Sequence, residues 1–156
     1  MKIDIDWLEQ QIIKSPLSET QKMQWADTMQ TVTVAKGESI VREGEKGGTL
    51  YLVRSGSVDI FQQMDAKEQH LGTLGEGALI GEITFLSDEA ATASATAKEE
   101  SVLYRIKRTD FTKLIQPSAD MVFSLFTYML LYQSKMVHQC NEDQVKMMSF
   151  MTGAHK

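Results

Sequence analysis

Between Thr31 and Lys107, apolar and polar positions alternate with a period of two in the short runs TVTV, ESIV, TLYLV, SVDIF, HLGTL, ASATA and SVLYRI. Successive strand residues point to opposite faces, so this alternation predicts half-buried β-strands. Nine of the ten glycines lie between Gly37 and Gly81 and break the runs every few residues, which is how short strands turn the corners of a sheet. The pattern predicts a small antiparallel barrel or jelly roll over residues 31–107.

The period changes to helical on both sides. In residues 1–30, Ser18 and Gln21 form a Ser-x-x-Gln capping box ahead of Met23, Ala26 and Met29, which predicts a short N-terminal helix. In residues 108–156, TDFTKLIQ predicts a short hinge helix that Pro117 ends, and Ser118 caps a long helix from Ala119 to about Met148. Met121, Leu125, Tyr128, Tyr132 and Met136 form one apolar stripe of this helix, and Val122, Phe126, Leu130 and Val137 a second. A helix apolar on two sides needs two surfaces. Its own barrel supplies one, and a second copy of the helix in a parallel homodimer is the simplest source of the other. Burial within the monomer is the alternative. The candidate residues on this helix for the dimer contact or for facing a ligand base are Leu125, Met129, Tyr132, Met136 and Val137.

Charge and composition narrow the function. A chain of 156 residues with a net charge of −5 has no basic footprint for a nucleic-acid backbone. The single cysteine, Cys140, precludes an internal disulfide and suits a reducing cytoplasm. The most apolar run, Met121 to Tyr132, has 12 residues, whereas a spanning helix needs about 20, so no membrane partner is expected. His70, His138 and His155 are scattered and form no metal-ligand motif; no nucleophile elbow or phosphate-gripping Walker loop occurs, so neither catalysis nor a metal is expected.

The stretch IVREGEKGGTLYLVRSG, Ile40 to Gly56, resembles the first signature of cyclic-nucleotide-binding domains, and LIGEI followed by ATASA falls where that family has its phosphate-binding cassette. The order of elements is similar to the sensory half of catabolite-activator-type regulators and to modules of protein kinase A regulatory subunits and gated channels. The resemblance implies a mainly β fold, a double-stranded β-helix (jelly-roll) barrel with flanking helices and a long C-terminal helix. It also implies a ligand site over Ile80, Gly81, Glu82, Ile83, Ala91, Thr92 and Ala93. In the family pattern the Gly-Glu pair supplies backbone amides and a ribose acceptor, and an arginine followed by a hydroxyl residue and a small one clamps the cyclic phosphate. A buried anion calls for such a planar cation and oriented amides.

Gly81, Glu82, Thr92 and Ala93 match that pattern. Ala91 stands where the arginine belongs, and Thr84 and Phe85 depart from the small-then-aliphatic preference. From Glu68 to Ala97 there are five acids and no Lys or Arg. Lys98 has the strand parity of Thr92 rather than Ala91, and Arg54 and Arg105 lie in other strand-like runs. Aligned without gaps from Phe111, the positions at which the catabolite activator presents Thr-Ser to adenine read Met136-Val137. Glu82 is open to two readings, a retained ligand contact or an acid favouring the dipole of a short helix.

Two functions follow from these departures. One is a regulatory module with lost or weakened cyclic-nucleotide binding, acting as a dimeric interaction domain for an unknown protein partner. The other is a sensor that binds cyclic AMP or cyclic GMP weakly, or takes a different and less anionic molecule. A cavity plugged by Phe85, Met136 or another side chain would speak for the first, and an ordered small molecule in the Leu79–Thr92 cavity for the second. About 16 residues follow Cys140, too few for the helix-turn-helix of the activators.

Overall fold

The computed structural model describes residues 2–151. His155, one of the three scattered histidines, lies outside them. Eight strands form two four-stranded sheets in which every pairing is antiparallel. The first sheet contains β1 (Met29–Val34), β8 (Ser101–Lys107), β3 (Thr49–Ser55) and β6 (Leu79–Ile80), in that order. The second contains β2 (Ser39–Val41), β7 (Ser94–Ala97), β4 (Val58–Met64) and β5 (Lys67–Leu74). This interleaved order is the jelly roll, and the seven alternating runs supply seven of the strands. The eighth, β6, has only two residues and is too short to show a period.

Alternation becomes packing directly. Val53, Val58, Ala95, Ala97 and Leu103 face inward between the sheets and are buried. At Gly56 the chain takes φ +88°, and a Cβ there would stand 2.3 Å from the Ser101 hydroxyl and 2.8 Å from the Glu100 carbonyl. Only glycine fits this corner.

The capping box forms as the sequence predicts. The Ser18 amide donates to Gln21 Oε1 at 2.9 Å, the Gln21 amide donates to Ser18 Oγ at 3.3 Å, and α2 runs from Glu19 to Thr28. Ahead of it lies a helical segment that the periodicity of Met23, Ala26 and Met29 does not announce. Here α1 (Ile5–Trp7), capped by the Asp4 carboxylate accepting from the Trp7 amide at 3.0 Å, continues into a π-helical turn, Leu8–Ile13. Trp7, Leu8 and Ile12 are buried. Arg54 fastens this segment by pairing with Asp4 at 2.8 Å and lying over the Trp7 ring, 5.0 Å from its centroid.

After β8, the short helix α4 (Arg108–Phe111) tightens into a 3-10 turn at Thr112–Leu114, and α5 runs from Ala119 to Met151. One hydrophobic cluster joins the N-terminal segment, the first sheet and α5 through Leu8, Trp25, Leu50, Ile106, Phe111 and Leu125.

The second apolar stripe of α5 is exposed only in part: Leu130 and Val137 point to solvent and Phe126 is 38% exposed, but Val122 is half-buried against the core, and Met121, Leu125 and Met129 are buried. Leu125 and Met129, at 1% and 4% exposure, thus belong to the molecule's own core and cannot serve a partner copy as expected. The 3.6-residue period fixes their direction towards the barrel. No helix among the described residues is long and apolar enough to cross a membrane.

Candidate functional site

The cassette begins where β6 ends. Gly81 adopts φ +83°, and a Cβ on it would meet the Thr49 carbonyl oxygen at 2.5 Å, so the chain must turn here on glycine. The turn starts α3 (Glu82–Leu86), whose first amides, as in any helix, have no partner within it. The buried Thr84 hydroxyl donates to the Gly81 carbonyl at 3.1 Å. Phe85 turns into the core, its ring 5.6 Å from that of Phe111. The two departures from the family preference therefore serve local structure.

All seven cassette positions, Ile80, Gly81, Glu82, Ile83, Ala91, Thr92 and Ala93, line one cavity of about 220 Å³. The sequence does not single out the residues that complete its walls, among them Val41, Ile60, Leu74 and Ser94. These come from β2, β4, β5 and β7, and only the curl of the second sheet gathers them. Glu82 is the single charged group in the lining. Ala91 is 8% exposed, and its backbone is pinned against the turn after β2: its amide donates to the Glu45 carbonyl at 2.9 Å and its carbonyl accepts from Gly44 at 2.8 Å.

Arg54, Lys98, Arg105 and Arg108 are engaged elsewhere and do not line the cavity. Arg54 is held by Asp4 and by Glu76 at 3.4 Å, and Arg105 is hydrogen-bonded to Gln30. Lys98 turns to Thr73 at 3.2 Å and Asp59 at 3.8 Å, in keeping with its strand parity. Arg108 donates to the Ser87 carbonyl at 3.0 Å and to Asp88 at 2.7 Å, fastening the segment after α3 to α4. Hydrogen bonding to Arg108, with the Coulomb attraction second, holds the Asp88 carboxyl below its usual value.

The far side of the site is α5. Its Gln133 amide nitrogen donates to Glu82 Oε1 at 3.1 Å, so the carboxylate assigned to a ribose hydroxyl has a partner inside the chain. Met136 and Val137 are exposed and absent from the cavity wall, and the buried Phe85 is absent from it too. Neither Phe85 nor Met136 plugs the cavity. Tyr132 lies half-buried between the two hydrophobic clusters; burial pushes its hydroxyl up, against an opposing hydrogen bond at the Leu79 backbone. Among the described residues, no group of three or more His, Cys, Asp and Glu side chains is placed to hold a metal ion.

Comparison with known proteins agrees with this geometry. The family model for the cyclic nucleotide-binding domain matches residues 31–118. A cAMP-dependent protein kinase regulatory subunit from Emericella nidulans is 31% identical over 111 residues, covering 71% of this chain and 26% of the relative. The crystal structure of the Thermus thermophilus catabolite activator protein superposes with a TM-score of 0.68 at 25% identity, over 88% of this chain and 63% of that one. A third similar structure is the regulatory subunit of a cAMP-independent protein kinase A from Trypanosoma brucei, in a triply substituted form bound to cAMP in its A site. One of its substitutions puts arginine for threonine. It has a TM-score of 0.62 at 30% identity, over 85% of this chain and 50% of that one. The chain thus spans about a quarter of the length of the curated regulatory subunits it matches.

Proposed function

The chain belongs to the cyclic nucleotide-binding domain family, and from that premise we propose that it is a non-catalytic, cytoplasmic regulatory module whose cyclic-nucleotide binding is lost or weakened and which acts as a dimeric interaction domain. One observation carries this reading. At the position where the phosphate clamp belongs, the cavity wall is the methyl group of Ala91, and the only charge facing the cavity is negative. Removing one partner of a buried, hydrogen-bonded charge pair costs about 2–5 kcal/mol. A micromolar site would then weaken to tens of micromolar or to millimolar. The Trypanosoma brucei structure is consistent with this, since arginine was introduced in the form that holds cAMP.

The cavity points the same way, because about 220 Å³ falls below the roughly 300–1,000 Å³ usual for small-molecule pockets. That neither Phe85 nor Met136 plugs it leaves room for the second reading, a sensor that takes a cyclic nucleotide weakly or a less anionic molecule. Dimerisation uses the exposed part of the second stripe of α5, where Phe126, Leu130 and Val137 share one face of the helix.

Isothermal titration calorimetry with cyclic AMP and cyclic GMP tests the proposal. The natural protein should bind no more tightly than tens of micromolar, and Ala91→Arg should gain at least about tenfold in affinity. Micromolar binding by the natural protein would overturn it.

A further inference from the structure

A concavity larger than the cassette cavity lies elsewhere in the described molecule. A groove of about 550 Å³ runs between the N-terminal segment and the exposed side of α5, within the range of small-molecule sites. Ile12, Ile13, Phe123 and Leu131 give it apolar walls; Phe123 and Leu131, at 74% and 65% exposure, are large side chains left open to water. Two cations, Lys14 and Lys135, also line it. Neither lysine makes an ion pair among the described residues.

The groove's one carboxylate, Glu76, is drawn away towards the Trp7 indole N–H at 2.5 Å and Arg54 at 3.4 Å, and against the two lysines it leaves the lining with an excess of positive charge. Lys14 is also held in an unusual place. It ends the π-helical turn at φ +56°, its amide donating to the Glu9 carbonyl at 2.8 Å. A non-glycine residue at positive φ and a π-helical turn are each features that concentrate at functional positions.

We propose that this groove binds a small amphiphilic anion, its apolar body against Phe123, Leu131 and Ile13 and its anionic head between Lys14 and Lys135. The site shares no lining residue with the cassette cavity and stands whether or not a cyclic nucleotide binds there.

Octanoate is the probe, titrated calorimetrically into the full chain beside 1-octanol. Octanoate should bind at least about tenfold more tightly than octanol, and a Lys14→Gln/Lys135→Gln double variant should lose that difference. Ala91→Arg should bind octanoate as the natural protein does. Both lysines are exposed, so the double variant should keep its thermal midpoint. Amide chemical-shift changes in the natural protein should gather at residues 12–15 and 123–135, which locates the site without any variant. Absence of octanoate binding at roughly 1 mM, equal affinity for the alcohol, or shifts gathered elsewhere would overturn the proposal.

Discussion

Ala91, Gly81 and Asp4 show three ways in which a single residue controls this molecule. At Ala91 the control is chemical: removing a cation from the wall leaves the backbone in place, because the loop is held by amide and carbonyl contacts to Gly44 and Glu45 rather than by the side chain. At Gly81 it is steric. A Gly81→Ala variant places a Cβ 2.5 Å from the Thr49 carbonyl at a φ that L-residues avoid, and should lose about 3 kcal/mol of stability, read as a lower denaturant midpoint with an unchanged slope. At Asp4 it is electrostatic. The hydrogen bond from Arg54, and then that from the Trp7 amide, hold its carboxyl below the ordinary 3.8, with burial opposing. A folded value below the unfolded one contributes stability that is complete above about pH 4 and lost as pH falls through the depressed value. Thermal midpoints measured from pH 6 to 2 should therefore fall less steeply for Asp4→Asn than for the natural protein.

Among the elements, α5 divides its apolar residues between two tasks, and substitution should separate them. Leu125→Ala opens a cavity under the barrel and should cost about 2–5 kcal/mol. Leu130, 72% exposed, touches no core, so Leu130→Arg should leave the fold intact and shift the sedimentation coefficient from dimer to monomer. Retention of the dimer in that variant would exclude the exposed stripe as its seam. The strands were legible in the sequence because one face of each is half-buried and the period of two survives in seven short runs. The capping box was legible because Ser18 and Gln21 bond each other across one turn, a contact local in sequence. The segment Ile5–Ile13 had weaker signals: Asp4 as a cap, with Ile5, Leu8 and Ile12 at helical spacing, interrupted by Asp6 and Glu9. Its burial depends on Arg54 and Glu76, 50 and 69 residues from their respective partners Asp4 and Trp7, and no local pattern encodes that.

The whole molecule explains what sequence leaves out of the site. The cassette positions are read in order along one stretch, so Gly81, Glu82 and the missing cation at Ala91 were visible at once. Gln133, which occupies Glu82, comes from another element 51 residues away, and the walls supplied by Val41, Ile60 and Leu74 converge only when the second sheet curls. The groove beneath α5 is further removed, since Lys14 and Lys135, which both line it, are 121 residues apart in the chain.

The hydrogen bond between Gln133 and Glu82 also fixes a fulcrum. At 1.5 Å per residue, the part of α5 from Gln133 to Met151 is a rod of about 27 Å, and residues 134–148 along it are all exposed. A molecule entering the cassette and taking the Glu82 carboxylate for itself would free the rod at its pivot. A tilt of about 10° there would sweep the far end through roughly 5 Å, so a minor exchange of hydrogen-bond partners at the cavity would be magnified at the helix tip.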